Sequence, residues 1–310
     1  MKAGTLPINR PLTRLGSPTR SRWLDFVELT KPRIGVMVLF TVAIGALLAH
    51  QAPLDLMQLF HALVGTALVA SGASALNQWL ERHSDTLMRR TENRPLPSGR
   101  LMSAEVLVFG FALAGVGLGY MAFLMTHLLA AVLTGVTFLS YVFVYTPLKP
   151  KTTLNTLIGA VPGALPPVIG WTAMTGTLDV GALVLFLIVF FWQVPHFLAI
   201  AWMYREDYAR AGLKMLPVVD ADGAATSRQM LLYALALVPI SLLPVLVNGA
   251  KPMYAFGALG LGIFFLRSVY GFVVQPGHAQ ARKVLHASLI YLPCVLGILL
   301  VERLIRYVMN

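Results

Sequence analysis

Three oxygen-bearing side chains recur at intervals of four residues: Asn77, Glu81 and Asp85. On an α-helix, each interval of four residues rises about 6 Å and turns about 40° beyond a full circle, so the three would share one face. Mg²⁺ prefers oxygen ligands and commonly takes one or two carboxylates together with phosphate oxygens and water. The spacing therefore predicts a helix face suited to Mg²⁺ that is bound to a diphosphate.

Basic side chains follow this triplet within fifteen residues: Arg89, Arg90, Arg94 and Arg100. A guanidinium matches the geometry of a phosphate and could hold the rest of an anionic substrate. Basic residues beside an apolar segment also fix the orientation of a membrane protein. Membrane orientation alone would explain Arg100, and for Arg89 both explanations stay open.

A second acidic block, with Glu206 and Asp207, follows a later apolar segment. The two blocks come after the second and the sixth apolar segments, which places both at one membrane surface and hints at duplicated halves. Together they could clamp a diphosphate through Mg²⁺, and the allylic cation left by its departure would need an apolar cavity lined by aromatic rings. Candidates for that lining are Trp79, Tyr141, Phe143, Tyr145, Phe191, Trp192 and Trp202.

The composition indicates the elements that position these residues. The chain has 310 residues, of which 57% are hydrophobic and 12% are charged, and its mean hydropathy is +0.73. Such values are typical of a polytopic membrane protein, in which only helices satisfy the backbone. We predict an all-α bundle of about nine transmembrane helices around a central cavity that opens to the cytoplasmic side. The predicted spans are 34–50, 60–80, 104–125, 128–146, 154–171, 181–203, 230–248, 253–273 and 286–306.

The net charge of +11 follows membrane topology. If the chain crosses nine times, 20 of its 24 Lys and Arg lie on one side, which the positive-inside rule makes cytoplasmic together with the N-terminus. The charge therefore does not indicate a nucleic-acid partner. Residues 1–29 are predicted to be a basic cytoplasmic tail and residues 30–310 one intramembrane domain. The bacterial inner (plasma) membrane is the first expectation. The mitochondrial inner membrane is the alternative, because an Arg-rich, acid-free start also suits a transit peptide.

The segments NQWLERHSDTLMRRTENRPLPSG (residues 77–99) and YREDYARAGLKMLP (204–217) resemble the two aspartate-rich motifs of the UbiA superfamily of intramembrane prenyltransferases. Three shorter segments are most similar to the haem-farnesylating branch of that superfamily: TKPR at 30–33, YTPLK at 145–149 and PHF at 195–197. Glu81 also suits that branch, since quinone-type relatives usually carry Asp there. The similarity runs from about Leu29 into the last span.

This resemblance implies a reaction in which a farnesyl group from farnesyl diphosphate is joined to a vinyl group of haem b and a hydroxyl is gained, giving haem O. It implies a catalytic set of Asn77, Glu81, Asp85 and Asp207. The implied Mg²⁺ ligands are these four residues and Glu206. The implied substrate-binding residues are Arg90, Arg94, Tyr145, Lys149 and His196. The implied partners are both substrates, the lipid bilayer and, at family level, the enzyme that next oxidises haem O.

His196 lies in an apolar span beside Pro195, which removes a backbone donor and loosens the helix. It could ligate haem iron or contact the porphyrin, and it could equally be satisfied by a neighbouring carbonyl. Two other functions stay open: prenylation of a quinone-precursor aromatic ring, and ion transport. A transporter should carry acids or broken helices near the membrane midplane, whereas these acids lie at one surface.

Overall fold

The computed structural model describes residues 21–49, 54–247 and 249–309, with side chains to residue 305. Regular structure within these ranges is helical, as predicted. The α-helices are α1 Arg22–Leu29, α2 Pro32–Ala49, α3 Leu56–Leu80, α4 Arg82–Asp85, α5 Ser103–Leu124, α6 Leu128–Leu139, α7 Thr146–Leu148, α8 Asn155–Ala164, α9 Pro166–Thr175, α10 Val180–Met203, α11 Arg205–Arg210, α12 Leu216–Val219, α13 Ala224–Ile240, α14 Leu243–Val247, α15 Pro252–Val274 and α16 His278–Met309. A π-helix, Ser140–Tyr145, joins α6 to α7.

Nine segments of the described chain are helical, apolar and long enough to cross a membrane, which confirms the predicted number of spans. They are Pro32–Ala49, Leu56–Leu80, Ser103–Leu124, Leu128–Leu148, Asn155–Thr175, Val180–Met203, Ala224–Val247, Pro252–Val274 and His278–Ile305. The seventh and ninth begin six and eight residues earlier than the apolar runs predict, at Ala224 and His278. A helix continues through polar turns that an apolar window excludes, so these starts carry Arg228, Arg282 and Lys283.

Helix α10 lies at the centre of the second half of the bundle, where it packs against α8, α13 and α16. In the first half, α3 packs along α5 and α2 packs along α9. Two glycines allow the α2–α9 contact: a Cβ on Gly45 would lie 1.9 Å from Pro167 O, and one on Gly170 would lie 1.9 Å from Val42 O. Small residues permit such close approach between membrane helices, and any larger side chain at these two positions would separate the pair.

The fifth span consists of two helices, α8 and α9, which meet at Leu165. Pro166 and Pro167 follow that junction, and each removes a backbone donor from the helical ladder. The same span packs against α10 and α2, so protein surrounds the interrupted backbone. That environment satisfies the rule that irregular backbone in a membrane is kept away from lipid.

Residues 22–29, at the end of the predicted tail, form helix α1, which packs against α3. Arg100 forms ion pairs with Asp25 and Glu28 of this helix, and Gln78 Nε2 donates to Leu29 O at 2.9 Å. Arg100 therefore anchors α1, in addition to any effect on topology. The remaining residues of the tail, including Arg10, Arg14 and Arg20, lie outside the described residues.

Candidate functional site

The predicted triplet does not lie on one continuous helix. Helix α3 ends at Leu80, and Glu81 has φ −88° and ψ 3°, so Asp85 belongs to the short helix α4. The fourfold spacing nevertheless survives the break, because Glu81 N donates to Asn77 O at 3.0 Å and Asp85 N donates to Glu81 O at 2.8 Å. The prediction of a single helix is wrong, but these backbone hydrogen bonds keep the predicted interval of four residues between the three positions.

Asn77 is buried and has both ends of its amide fixed. Its Oδ1 accepts from Lys31 Nζ at 3.0 Å, and its Nδ2 donates to Thr146 Oγ1 at 3.2 Å. The Thr146 hydroxyl donates in turn to Tyr141 O at 2.9 Å, which leaves its oxygen free to accept from Asn77. Asn77 thus links the start of the first span to the end of the fourth.

Lys31 is a site residue to which the sequence analysis assigned no role. It has φ 50°, the one positive φ of a non-glycine residue in the described ranges. This conformation, directly before Pro32, is uncommon and is held by surrounding contacts. Burial of the ammonium, together with the nearby Arg94 charge, lowers the pKa of Lys31 to about 7. A lysine that carries a proton only up to neutral pH is typical of a functional cluster.

Glu81 pairs with Lys149, whose Nζ lies 2.5 Å from Oε1 of the carboxylate. Both side chains are largely buried, with 11% of Glu81 and 15% of Lys149 exposed. Burial alone would raise the pKa of Glu81, but the charge and hydrogen bond of Lys149 hold it below its ordinary value. Burial would likewise lower the pKa of Lys149, and Glu81 raises it instead. The pair is therefore ionised throughout the physiological range.

Asp85 has no exposed surface, and its Oδ2 accepts from Arg94 Nη1 at 2.7 Å. Its other oxygen, Oδ1, is buried and has no hydrogen-bond partner among the residues that the structure describes. Burial raises the pKa of the Asp85 carboxyl above its ordinary value, although the Arg94 charge acts in the opposite direction. A buried carboxylate oxygen with no partner is costly, and it is chemically suited to a cation.

The π-helix places two tyrosines over the same charges. The Lys149 ammonium lies 4.7 Å from the centre of the Tyr145 ring, and the Tyr141 and Tyr145 rings are 5.5 Å apart. A Cβ on Gly159 would lie 2.5 Å from the Tyr145 ring, so this glycine provides the space for it. π-Helical turns often occur at functional sites. Here the wide turn brings two electron-rich rings to the charged cluster.

Five ionisable groups at this position influence one another: Lys31, Glu81, Asp85, Arg94 and Lys149. Three are cations and two are carboxylates, so the cluster has a positive excess of one charge when Lys31 is protonated. They come from the chain before the first span and from the loops that follow the second and fourth spans. A partly buried cluster with this balance attracts a multivalent anion.

The second acidic block lies apart from these carboxylates. Asp207 pairs with Arg210 within α11, and none of the ion pairs in the described part of the chain links it to the cations that bind Glu81 and Asp85. Likewise, no group of three or more His, Cys, Asp or Glu in the described ranges lies close enough to share one metal ion. Glu206 is exposed at the first turn of α11. The proposed metal ligands therefore form two separate sets.

Arg90 joins the two blocks. Its guanidinium lies 5.1 Å from the ring centre of Tyr204 and 5.8 Å from that of Tyr208, and its Nη2 donates to the Tyr208 hydroxyl at 3.3 Å. In the reverse direction, Arg210 Nε donates to Leu87 O at 3.4 Å. The loops after α3 and α10 thus contact each other, as expected for two blocks at the same surface.

His196 has a defined orientation inside α10. Its ring lies over Trp192, with ring centres 5.0 Å apart, and its Nδ1 is 2.8 Å from the Ser288 hydroxyl. Both contacts of Ser288 are hydrogen bonds only when its one hydroxyl hydrogen goes to Leu285 O, at 2.7 Å, and its oxygen accepts from Nδ1–H of His196. The other ring nitrogen, Nε2, then carries the lone pair that ligates a metal or accepts a proton.

The remaining aromatic candidates have different environments. Phe143 is 49% exposed on the outside of the bundle, and Trp202 packs edge-on against Phe272. Phe191 contacts Tyr233, and Trp79 donates to Ser103 Oγ at 2.7 Å. Of the seven predicted rings, Tyr145 contacts the charged cluster, Tyr141 packs against Tyr145, and Trp192 contacts His196.

The chain is similar to known proteins both in sequence and in fold. The sequence profile of the UbiA prenyltransferase family matches residues 38–291. The chain belongs to this family. Among curated UbiA-family relatives, the protoheme IX farnesyltransferase of Solibacter usitatus (strain Ellin6076) is 46% identical over 288 residues, covering 90% of this chain and 98% of that protein. The protoheme IX farnesyltransferase of Koribacter versatilis (strain Ellin345) is 42% identical over 315 residues, covering 98% of this chain and 100% of that protein.

Solved structures of UbiA-family proteins share the fold. A digeranylgeranylglyceryl phosphate synthase has a TM-score of 0.76 at 18% identity, covering 91% of this chain and 98% of that one. A UbiA homolog from Archaeoglobus fulgidus bound to DMAPP and Mg²⁺ has a TM-score of 0.66 at 13% identity, covering 89% and 99%. At these identities the two structures support the helical fold of this chain, and their substrates are not assigned to it.

Proposed function

We propose that this protein transfers a farnesyl group from farnesyl diphosphate to a vinyl group of haem b, forming haem O in a Mg²⁺-dependent reaction. The observation that carries the proposal is the pairing of two features in one UbiA fold: a buried cationic and carboxylate cluster, and a histidine with a free Nε2 in an apolar span. The curated relatives named protoheme IX farnesyltransferase support it, at 38–46% identity over most of the chain.

The charged cluster suits ionisation of the donor. In that step the carbon–oxygen bond of farnesyl diphosphate breaks, and the diphosphate leaves with the electron pair. Lys31, Arg94 and Lys149 would hold the negative charge that develops on the leaving group. Tyr141 and Tyr145 would face the allylic cation, whose positive charge is stabilised by aromatic rings. The vinyl group then forms the new carbon–carbon bond, and water supplies the hydroxyl with loss of a proton.

The residues fit Mg²⁺ through oxygen chemistry. The orphaned Oδ1 of Asp85 is a ready ligand, and Asn77 Oδ1 and the Glu81 carboxylate are the two other oxygen donors of the first set. Asp207 and Glu206 would form the second set, across the loop contact made by Arg90. When bound, Mg²⁺ would neutralise charge on the diphosphate. Since Glu81, Asp85 and Asp207 are each paired with a cation, the same ion pairs offer ligands to the metal and counter-ions to the phosphates.

His196 favours haem as the acceptor over a quinone-precursor ring. Its Nε2 is kept as an acceptor by the bond from Nδ1–H to Ser288, which is the tautomer that binds iron. A substituted benzoate carries no metal ion that this lone pair could ligate. We assign His196 to the porphyrin or its iron.

The membrane placement forms part of the proposal. We propose a multi-pass protein of the bacterial inner membrane with a cytoplasmic N-terminus, a basic tail over residues 1–29 and one domain over 30–310. The active site would open to the cytoplasm, and the enzyme that oxidises haem O would receive the product. Reporter fusions in the loops at 125–127 and 149–154 test the orientation, because one must be external and the other cytoplasmic.

The decisive experiment incubates purified protein with haem b, farnesyl diphosphate and Mg²⁺ and analyses pigments by mass. We expect a product with the mass of haem plus a farnesyl group and a hydroxyl group. A parallel arm replaces haem with 4-hydroxybenzoate. Product in that arm alone would overturn the acceptor and keep the family, and product in neither arm would overturn the proposal.

Two variants locate the site within this assay. Asp207→Asn should lower turnover strongly, whereas Asp222→Asn, an exposed acid in the next loop, should not. His196→Gly should lose haem affinity and regain it with added imidazole. Full activity of Asp207→Asn would exclude the second acidic block from the reaction.

A further inference from the structure

The outer face of the last two spans carries a basic recess that the proposed reaction does not use. It has a volume of about 400 Å³ and lies between α15 and α16. Its lining consists of Phe264, Arg267, Ser268, Gly271, Gln280 and Lys283. None of these residues belongs to the site described above.

Arg267 is unusual because it is exposed inside a membrane span. It precedes the end of α15 at Val274 by seven residues, which is about 10 Å along a helix. Neither Arg267 nor Lys283 has an acidic partner among the residues that the structure describes. An intramembrane cation is costly, so an unpaired one indicates a ligand or a polar environment at that depth.

Lys283 lies at a similar depth on the neighbouring helix. It follows the start of α16 at His278 by five residues, or about 7.5 Å. Since α15 and α16 run antiparallel through a short connection, Arg267 and Lys283 face the same layer of the membrane. Gln280 lies close to α15, because a Cβ on Gly271 would be 3.5 Å from its Oε1. The recess thus combines two cations with an amide and a hydroxyl.

We infer that this recess binds the phosphodiester headgroup of an anionic phospholipid. Charge complementarity identifies the ligand, because two cations need a compensating anion, and long Arg and Lys side chains extend from such a depth to the lipid headgroups. The exposed Phe264 ring would contact the acyl chain of the same lipid. The connection between α15 and α16 is on the same side as the charged cluster, since both follow an even number of spans.

The test measures thermal stability of the delipidated protein in neutral detergent. Added dioleoyl phosphatidylglycerol should raise Tm, because a ligand bound by the folded state stabilises it, and dioleoyl phosphatidylcholine should not. The Arg267→Gln/Lys283→Gln double variant should lose the rise and keep farnesyl transfer. Arg282→Gln, an exposed cation beside the recess but outside its lining, should keep the rise.

Native mass spectrometry gives a second readout. We expect the wild-type protein to retain phosphatidylglycerol over phosphatidylcholine by at least about tenfold, and the single variant Lys283→Gln to lose most of that preference if the double variant does not fold. Three results would overturn the inference: no preference in the wild type, equal loss in Arg282→Gln, or an equal Tm rise with inorganic diphosphate. The last would identify a soluble anion as the ligand.

Discussion

The Ser288 hydroxyl fixes the tautomer of His196: its hydrogen goes to Leu285 O, and its oxygen, 2.8 Å from Nδ1, accepts the imidazole N–H. The two residues come from α16 and α10, so a helix of the last span orients a histidine of the sixth. Trp192 completes this arrangement, since its Nε1 donates to Ser288 O at 2.7 Å. The histidine ring is therefore held before any substrate arrives.

Ser288→Ala should weaken haem binding without affecting farnesyl diphosphate. Loss of a hydrogen bond to a metal-binding histidine typically costs 10- to 100-fold in affinity, and we expect a loss of about 10-fold here. The measurement is a haem titration followed by absorption, with the ligation state read from the spectrum. Ser227→Ala is the matched control, because that serine is also buried but its hydroxyl has no partner. Equal effects of the two substitutions would mean that Ser288 acts only in packing.

The Glu81–Lys149 pair should show different effects on stability and on activity. Glu81→Gln leaves a buried ammonium without its counter-ion, a change that costs about 3–5 kcal/mol in comparable pairs. The double variant Glu81→Gln/Lys149→Met should recover part of the lost Tm, because neither side chain then carries a charge. It should remain inactive, because it lacks both the Glu81 carboxylate proposed to bind Mg²⁺ and the Lys149 ammonium proposed to bind the diphosphate.

Arg22→Gln serves as the control for that pair. Arg22 also pairs with an acid, Glu105, but its side chain is 66% exposed, and exposed ion pairs contribute little to stability. Activity in the double variant at the level of Arg22→Gln would remove Glu81 and Lys149 from the proposed reaction.

The transmembrane spans could be predicted from the sequence, because a long apolar segment is stable in a membrane as a helix, which satisfies its own backbone hydrogen bonds. The helical spacing of Asn77, Glu81 and Asp85 could also be predicted, since an interval of four residues is a local property. The break of the helix at Glu81 was not predictable in this way. No Gly or Pro marks that position, and the break accompanies ion pairs with distant residues.

The partners of Asn77 and Glu81 could not be predicted from local sequence patterns. Lys31 meets Asn77 across 46 residues of sequence, and Lys149 meets Glu81 across 68. Each contact depends on how separate spans pack against one another. Glycines such as Gly45 and Gly170 determine this packing, because they allow two helices to approach closely. Lys31 had one available signal, its place in the TKPR segment, but its charge was explained by topology alone. Ser288 had none.

Asp85→Asn should raise the Mg²⁺ requirement. The substitution keeps the shape of the side chain and removes the charge, so the orphaned oxygen becomes a neutral and weaker ligand. We expect the Mg²⁺ concentration for half-maximal activity to rise at least about tenfold, measured by titration at saturating substrates. Glu92→Gln, an exposed acid in the same loop, should leave the titration unchanged. An unchanged Mg²⁺ dependence in Asp85→Asn would show that this carboxylate binds no metal.

Lys31 should make substrate binding depend on pH. Burial and the Arg94 charge lower its pKa to about 7, so the free site loses one positive charge as the pH rises through 7. The KM for farnesyl diphosphate should therefore increase above pH 7, by up to about tenfold per pH unit for one proton. Lys31→Arg should remove this increase, because a guanidinium stays charged. Lys151→Arg, at an exposed lysine of the loop after α7, is the control.

The stability of the fold should increase with pH over the same range in which the binding of farnesyl diphosphate weakens. The unfolded lysine keeps its ordinary pKa of 10.5, so between pH 7 and pH 10 the unfolded chain binds more protons at this position than the folded one. The free energy of unfolding should then rise with pH in the wild type, since burying the charged ammonium destabilises the fold below pH 7. Lys31→Met should remove this contribution. If Tm and KM follow the same pH course in wild-type, Lys31→Arg and Lys31→Met proteins, Lys31 neither titrates near neutrality nor holds the diphosphate.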